Sequence, residues 1–418
     1  MQAPNFRIAN LDNLDCLAKH YTTYMNKSST PQVPPAAAPR RAFLQGLAAL
    51  GLVAAAPVAS AGAAKPKAAP AGKRPLIIDV LGSISNPNLP DAEQEDRYTM
   101  GIDARAMADA KASGLSAFNM TIGYVFGKED PYEQTVKEVA EWDAFLRRRQ
   151  DSLIKVLSAS DIQHAHDSGR IGVILGFQNA AMMGKNAARV DTFANLGVRV
   201  IQLTYNDRNQ LGDGCLVPEN QGLTPFGHEV VDALNRNRVI VDLSHSGEQI
   251  CLDAARASKA PIMITHTGCR ALVDLPRNKT DQELRLVADK GGFVGIYMMP
   301  FLAIGRQPTA ADLIAHIEHA INVCGEDHVG IGTDGTLSKI DDIPGYLADL
   351  KKEVARRRSL GISAPGERDD IVPFLPDLGG QEKFLKLADL LARRGHTSAR
   401  IEKILGRNFL RAAGRIWA

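Results

Sequence analysis

Eight short apolar runs alternate with amphipathic segments from residue 76 onward, and no other feature of the chain constrains its fold as strongly. The runs are PLIIDVLG (75–82), SAFNMTIG (116–123), IGVILGFQ (171–178), VRVIQLTY (198–205), RVIVDLSH (238–245), PIMITHT (261–267), GFVGIYMMP (292–300) and HVGIGTDG (328–335). Between them lie stretches with helical spacing, such as YEQTVKEVAEWDAFLRRR and FGHEVVDALNRN. Strands that are apolar on both faces must be covered on both faces, which a parallel sheet with crossover helices achieves. Eight such units predict an α/β fold, a (β/α)8 TIM barrel. The rival is an open doubly wound sheet, and it lacks the Gly-rich nucleotide loop after its first strand. The section after residue 336 reads as helices and a long loop that close the barrel.

In a barrel of this kind the catalytic groups stand at the C-terminal ends of the strands. Reading those ends gives Gln178, Tyr205, His245, His266 and Asp334. The two histidines end adjacent strands. Equivalent positions on adjacent strands lie about 4.8 Å apart, so both imidazoles can reach one metal ion. A histidine that merely caps its strand is the plainer reading of His245 alone; the company it keeps argues for function.

The N-terminal region is of a different kind. PRRAFLQGLAALGLVAAAPVASA places Arg40-Arg41 ahead of Phe43-Leu44, a mild Ala/Leu/Gly run and Ala59-Ser60-Ala61. This predicts a twin-arginine export signal over residues 1–61, with Met25 as an alternative start, and a periplasmic or secreted protein. Gln45 and Pro57 make the run poor material for a membrane anchor. Residues 62–75, GAAKPKAAPAGKRP, read as a flexible linker, leaving 76–418 for the barrel. The first 61 residues hold five Lys/Arg against Asp12 and Asp15. Subtracting that +3 from the formal +2 of the whole chain leaves about −1. With no basic stripe, nucleic acid is not an expected partner. Cys215, Cys251, Cys269 and Cys324 show no CxxC spacing and read as free buried thiols.

Four stretches carry a resemblance: GVRVIQLTYNDRN, GLTPFGHEVVDALNRNRVIVDLSHSG, APIMITHTGCRALVDLPRNKTDQEL and DHVGIGTDG. Over residues 197–335 their order and spacing resemble the membrane (renal) dipeptidase family of zinc peptidases, metallopeptidase family M19. The resemblance implies a barrel of the metal-dependent hydrolase type. It also implies that His245 and His266 bind one zinc of a two-zinc site, that Arg277 holds the substrate carboxylate, and that Asp334 handles protons. The residue types suit these roles: neutral imidazoles for Zn²⁺, a guanidinium fork for a carboxylate, an acid beside a metal-bound water. Read without the resemblance, Arg277 could be a surface ion pair and Asp334 a turn cap.

The chain also departs from the family. Leu81 and Ser83 stand where the family's first strand carries its His-x-Asp ligands, and no histidine lies between His20 and His164. Gln178 replaces the bridging glutamate, and Tyr205 replaces a substrate-side histidine. A neutral amide cannot balance two dications, so one zinc ion at most is expected. His245 and His266 would hold it, with Gln178 or Asp334 as a third ligand and water as a fourth. Tyr205 then either polarises the substrate carbonyl or packs at a strand end. Arg208, in NDRNQLGDGC, is a candidate second anion contact. His164, His166, His316, His319 and His328 read as structural.

The function expected is an exported metal-dependent dipeptidase-like hydrolase. It would cleave a dipeptide or similar N-acyl amino acid with a free carboxylate, using a metal-activated water. The alternative is a barrel that has lost peptidase chemistry and works as a binding or tailoring protein in a periplasmic pathway. Expected partners are the small-molecule substrate and the twin-arginine export machinery; a homodimer is also admissible.

Overall fold

A computed structural model of the protein describes residues 74–90, 93, 96–359 and 368–418. The expected export signal, and all but the last two residues of the expected linker, lie outside them. Nine strands form one parallel sheet: β1 (Ile77–Asp79), β2 (Leu115–Thr121), β3 (Leu153–Lys155), β4 (Ile171–Phe177), β5 (Val198–Gln202), β6 (Ile240–Asp242), β7 (Met263–Thr267), β8 (Phe293–Ile296) and β9 (Val329–Ile331). The barrel runs β1-β2-β4-β5-β6-β7-β8-β9, and these eight staves are the eight apolar runs. Three backbone bonds hold the seam. Val80 N–H donates to Ile331 O (3.0 Å), Ser83 N–H to Gly335 O (2.9 Å) and Asp334 N–H to Leu81 O (2.8 Å). The fold is the expected (β/α)8 barrel.

The extra strand β3 was hidden in the sequence. Its three residues follow the helix Pro131–Arg148 at once and end in Lys155, too short and too polar for a recognisable run. β3 pairs with the start of β4 at Ile171–Val173, and β5 takes its end at Leu175–Phe177.

The barrel interior near the strand starts is packed shut. Ile78, Ala117, Ile174, Val200, Ile240, Met263 and Phe293 meet Phe409, Ala412, Ala413 and Ile416 of the terminal helix Asn408–Trp417. Emptying a site as buried as Phe409 costs about 3–5 kcal/mol. The chain enters this helix through Gly406, where a Cβ would stand 2.8 Å from Leu76 O, so only glycine passes under β1. With that mouth plugged, the opposite one is left for ligands.

Candidate functional site

Two buried acids organise that mouth in the same way. Asp242, the last residue of β6, accepts from Thr265 N–H (3.0 Å) and Thr265 Oγ1 (2.6 Å) on β7. Asp79, the last residue of β1, accepts from Thr333 N–H (2.8 Å) and Thr333 Oγ1 (2.6 Å) just beyond β9. Each acid thus stitches its strand to a neighbour and fixes the next residue along: His266 after Thr265, Asp334 after Thr333. Asp242 also receives Ser244 N–H (3.1 Å) and Ser244 Oγ (2.6 Å), which shapes the turn that delivers His245. An acid in an apolar strand is explained by this work.

His245 and His266 meet, with Nε2 atoms 2.9 Å apart and ring centroids 4.9 Å apart. Their other nitrogens fix the tautomers. His245 Nδ1–H donates to Asn206 Oδ1 (2.7 Å). His266 Nδ1–H donates to Thr265 Oγ1 (2.9 Å), whose own proton goes to Asp242. Both Nε2 atoms are therefore acceptors that face each other, and His245 Nε2 also receives the Arg277 guanidinium at 3.0 Å. Burial first, and then the Arg277 and Lys279 cations, hold both imidazoles far below the usual histidine range. Two neutral imidazoles backed by hydrogen bonds suit one shared metal ion. Among the described residues no third His, Cys, Asp or Glu joins them as a metal-binding group. The pair suits a single ion completed by water or neutral oxygens. Leu81 is buried, and the Ser83 hydroxyl is engaged with Ser85 Oγ at 2.9 Å.

Arg277 is 3% exposed. One amino group donates to Ser244 O (2.7 Å), the other lies 3.0 Å from His245 Nε2, and Nε has no hydrogen-bond partner among the described residues. Its segment is held firmly. Lys279, also buried, donates to Ser246 O (2.5 Å) and pairs with Glu283 (3.1 Å). Thr280 and Glu283 then form the capping box that starts the helix Asp281–Asp289.

Tyr205 stacks on His245 with centroids 4.2 Å apart and 21° between planes, and Phe126 stacks on its other side. Gln178 donates through Nε2 to Thr121 Oγ1 (2.7 Å), and its backbone oxygen accepts from Gln202. Asp334 sits at φ 54°, a conformation that strains most residues. Burial raises its carboxyl above the ordinary range, and the Arg277 charge opposes that rise. Gln178, Tyr205, His245, Arg277 and Asp334 line one pocket of about 1230 Å³. His266 lies behind His245, fully buried. Arg208 does not line this pocket. It pairs with Asp213 (2.7 Å) and donates to Gln221 Oε1 (2.8 Å).

Other expectations follow the same geometry. His316 accepts Cys269 N–H at 2.8 Å, His319 pairs with Asp281, and His328 Nδ1 meets Gly292 O at 2.8 Å, all in structural roles. Among the described residues Cys215, Cys251, Cys269 and Cys324 are free, and all but Cys215 are buried.

Lys383 was not foreseen. It lines the pocket, is nearly buried and donates to Thr336 O (2.6 Å) at the β1/β9 seam. A signal existed: Lys383 shares the buried stripe of Phe384, Leu387 and Leu391 on its helix. Burial pulls its ammonium down to about 8, while Asp79 pulls it back up. Burial likewise pushes Asp79 up to about 7 against its Thr333 bonds and Lys383. A carboxyl raised by folding contributes stability that is complete below its unfolded value, near 4, and is lost as pH rises through about 7. Asp79→Asn removes that titration. Wild type should therefore lose about 2–4 kcal/mol relative to the variant between pH 4 and pH 8, from about 1.4 kcal/mol per pKa unit. Urea unfolding at both pH values measures it; a constant difference would refute the assignment.

Residues 77–360 match the membrane dipeptidase family, peptidase family M19. An amidohydrolase of known structure from Pseudomonas aeruginosa is 30% identical and superposes with a TM-score of 0.67. That match covers 82% of this chain and 97% of that one. An uncharacterized protein in the pqqA 5′ region of Klebsiella pneumoniae is 27% identical over 299 residues, 69% of this chain and 98% of that one. The dipeptidase aclJ of Aspergillus oryzae is 31% identical over 209 residues, 48% of this chain and 49% of its own. The chain thus spans about half the length of that fungal relative.

Proposed function

The chain belongs to the membrane dipeptidase family of metal-dependent hydrolases, and from that premise we propose that it cleaves a dipeptide or similar N-acyl amino acid bearing a free carboxylate. One observation carries the reading. Arg277 is buried in the pocket wall, and among the described residues no carboxylate lies within ion-pair distance of it. A buried charge without a counter-ion costs several kcal/mol, so the fold retains one only for a purpose. An anionic substrate group supplies the missing partner, and a planar carboxylate matches the guanidinium fork.

The remaining roles follow from position. Arg277 fixes the carboxylate end beside the imidazole pair. To Asp334, which lines the same mouth, we assign the transfer of a proton to the departing amine. Tyr205, stacked on His245, keeps that ring in register and is the donor proposed for the amide carbonyl oxygen. Gln178, whose amide nitrogen donates to Thr121 Oγ1, is the neutral side chain we offer as a third metal ligand. His245 and His266 would hold one zinc ion, which when bound supplies a Lewis acid and an acidified water. Export through a twin-arginine signal belongs to the same proposal, supported by Arg40-Arg41 and the run that follows them.

Arg277→Ala tests the reading. A charge-assisted pair of this kind is worth about 1.5–3 kcal/mol, so kcat/KM should fall at least about tenfold. Arg277→Lys should recover only part, since an ammonium lacks the fork. Wild type should lose as much on the carboxyl-amidated substrate as the Ala variant loses on the acid. A variant that still strongly prefers the free acid would move the anchor away from Arg277.

A further inference from the structure

The pocket is much larger than a dipeptide needs. At about 1230 Å³ it exceeds the 300–1,000 Å³ usual for drug-sized ligands. Its polar groups are also unevenly placed. His245, Arg277, Asp334, Tyr205 and Gln178 lie at the strand ends. Away from them the walls come from the segment after β8, from the helix Ile343–Ser359 and from residues 372–380, and here the lining is mostly apolar, with Gln307, Asp349 and Lys352 as its polar members. Met299, Phe301, Ile343, Tyr346, Leu347 and Phe374 all face this space and are all partly exposed. Tyr346 and Phe374 meet edge-on with centroids 5.8 Å apart. The surroundings of Tyr346 are dry enough to push its phenol up to about 12.

Apart from Arg277, Asp334 and Lys383, the charged side chains that line the pocket, Lys339, Asp349, Lys352 and Asp370, are exposed, at the solvent rim. Lys383 is committed to Thr336 O and to the field of Asp79. Between the rim and Arg277, apolar side chains from three segments surround a space that a dipeptide held at Arg277 would leave to water. A contiguous apolar surface left wet is unfavourable, and such surfaces mark ligand grooves. Because this gallery opens onto the Arg277 end of the same pocket, its occupant is the rest of the molecule anchored there.

We propose that the substrate is an amino acid whose amide nitrogen carries a long or bulky apolar acyl group. This rests on the hydrolase reading above and names its substrate class. The amino-acid carboxylate pairs with Arg277, the amide lies between Asp334 and the imidazole pair, and the acyl body fills the gallery. Water adds to the amide carbonyl carbon and the C–N bond breaks. The acyl part leaves as a carboxylate, and the amine departs protonated as the free amino acid.

The test is a series of N-acyl-L-alanines from acetyl to dodecanoyl, assayed with the wild-type enzyme. A fully buried methylene is worth about a fourfold gain, so kcat/KM should rise about two- to fourfold per methylene until the gallery is full. The corresponding N-alkylsulfonyl-L-alanines keep the carboxylate and cannot be hydrolysed. Their Kd by calorimetry should tighten in parallel. Leu347→Asp and Phe374→Ser should each flatten the slope of both series; the wild-type series stands without them should either fail to fold. Hydrolysis of acetyl-alanine, with kcat/KM and Kd both indifferent to chain length, would overturn the acyl proposal and leave the hydrolase reading standing. Steep tightening of the sulfonyl series with no hydrolysis of any amide would support the gallery and remove the hydrolase reading.

Discussion

Asp334→Asn is expected to lower kcat about 10²–10⁴-fold while KM stays within about threefold, the loss typical of removing a positioned proton-transfer group. The substitution is a clean one for structural reasons. Asp334 sits at φ 54°, and asparagine is among the few residues that accept this region without strain. Its N–H keeps the bond to Leu81 O, and Thr333 stays clamped by Asp79. Backbone and side-chain volume therefore persist, while the titratable proton and the carboxylate charge are lost. Alanine at the same position would add backbone strain and confuse the result. Burial makes the acid form of Asp334 persist to higher pH than an ordinary carboxyl, partly offset by Arg277. A carboxyl raised by burial holds its proton better than an exposed one, which suits a proton donor. If Asp334 only capped the GTDG turn, the variant would keep its kcat and lose at most a little stability. Steady-state kinetics and urea unfolding on the same preparation separate the two.

How much of this could be read from the chain alone depended on whether a residue's role was local. Strand identity was, because a stave buried on both faces must be apolar throughout; eight runs gave eight staves. β3 escaped because LIK is three residues long and lies against the start of β4, where pairing rather than composition defines it. That His245, His266 and Asp334 stand at one mouth was legible because they end barrel strands. Asp79 and Asp242 were visible as acids in apolar runs, but their partners, Thr333 and Thr265, stand 254 and 23 residues away. Only the closed barrel joins Asp79 to Thr333. Arg208 shows the reverse case. Its neighbourhood in the sequence pointed to the pocket, yet Asp213, five residues on in the same loop, captures the guanidinium. The apolar gallery was the least legible feature. It is assembled from three segments, each amphipathic for ordinary reasons, and only their convergence over one mouth makes a cavity.

Purified protein loaded with zinc should keep about one equivalent through dialysis, and His266→Ala should keep essentially none. The argument runs from the two lone pairs. Asn206 and the Thr265–Asp242 pair commit both Nδ1 atoms as donors, leaving both Nε2 atoms as acceptors 2.9 Å apart. Protonating either ring would satisfy the pair, but burial and the charges of Arg277 and Lys279 oppose it. Kept neutral, both imidazoles leave their Nε2 lone pairs available as metal donors. Removing one imidazole leaves a single strong donor in a pocket that already holds a guanidinium, too little to retain a dication. Asn206→Ala probes the same site more gently. It keeps both imidazoles but frees His245 Nδ1, and losing such an outer-shell partner typically costs 10–100-fold in metal affinity. Elemental analysis and competition with a chelator measure both variants. Two equivalents retained by wild type would show that ligands beyond Leu81 and Ser83 complete a second site. Equal retention by wild type and His266→Ala would show that the ion binds elsewhere and that the imidazole pair is not its holder.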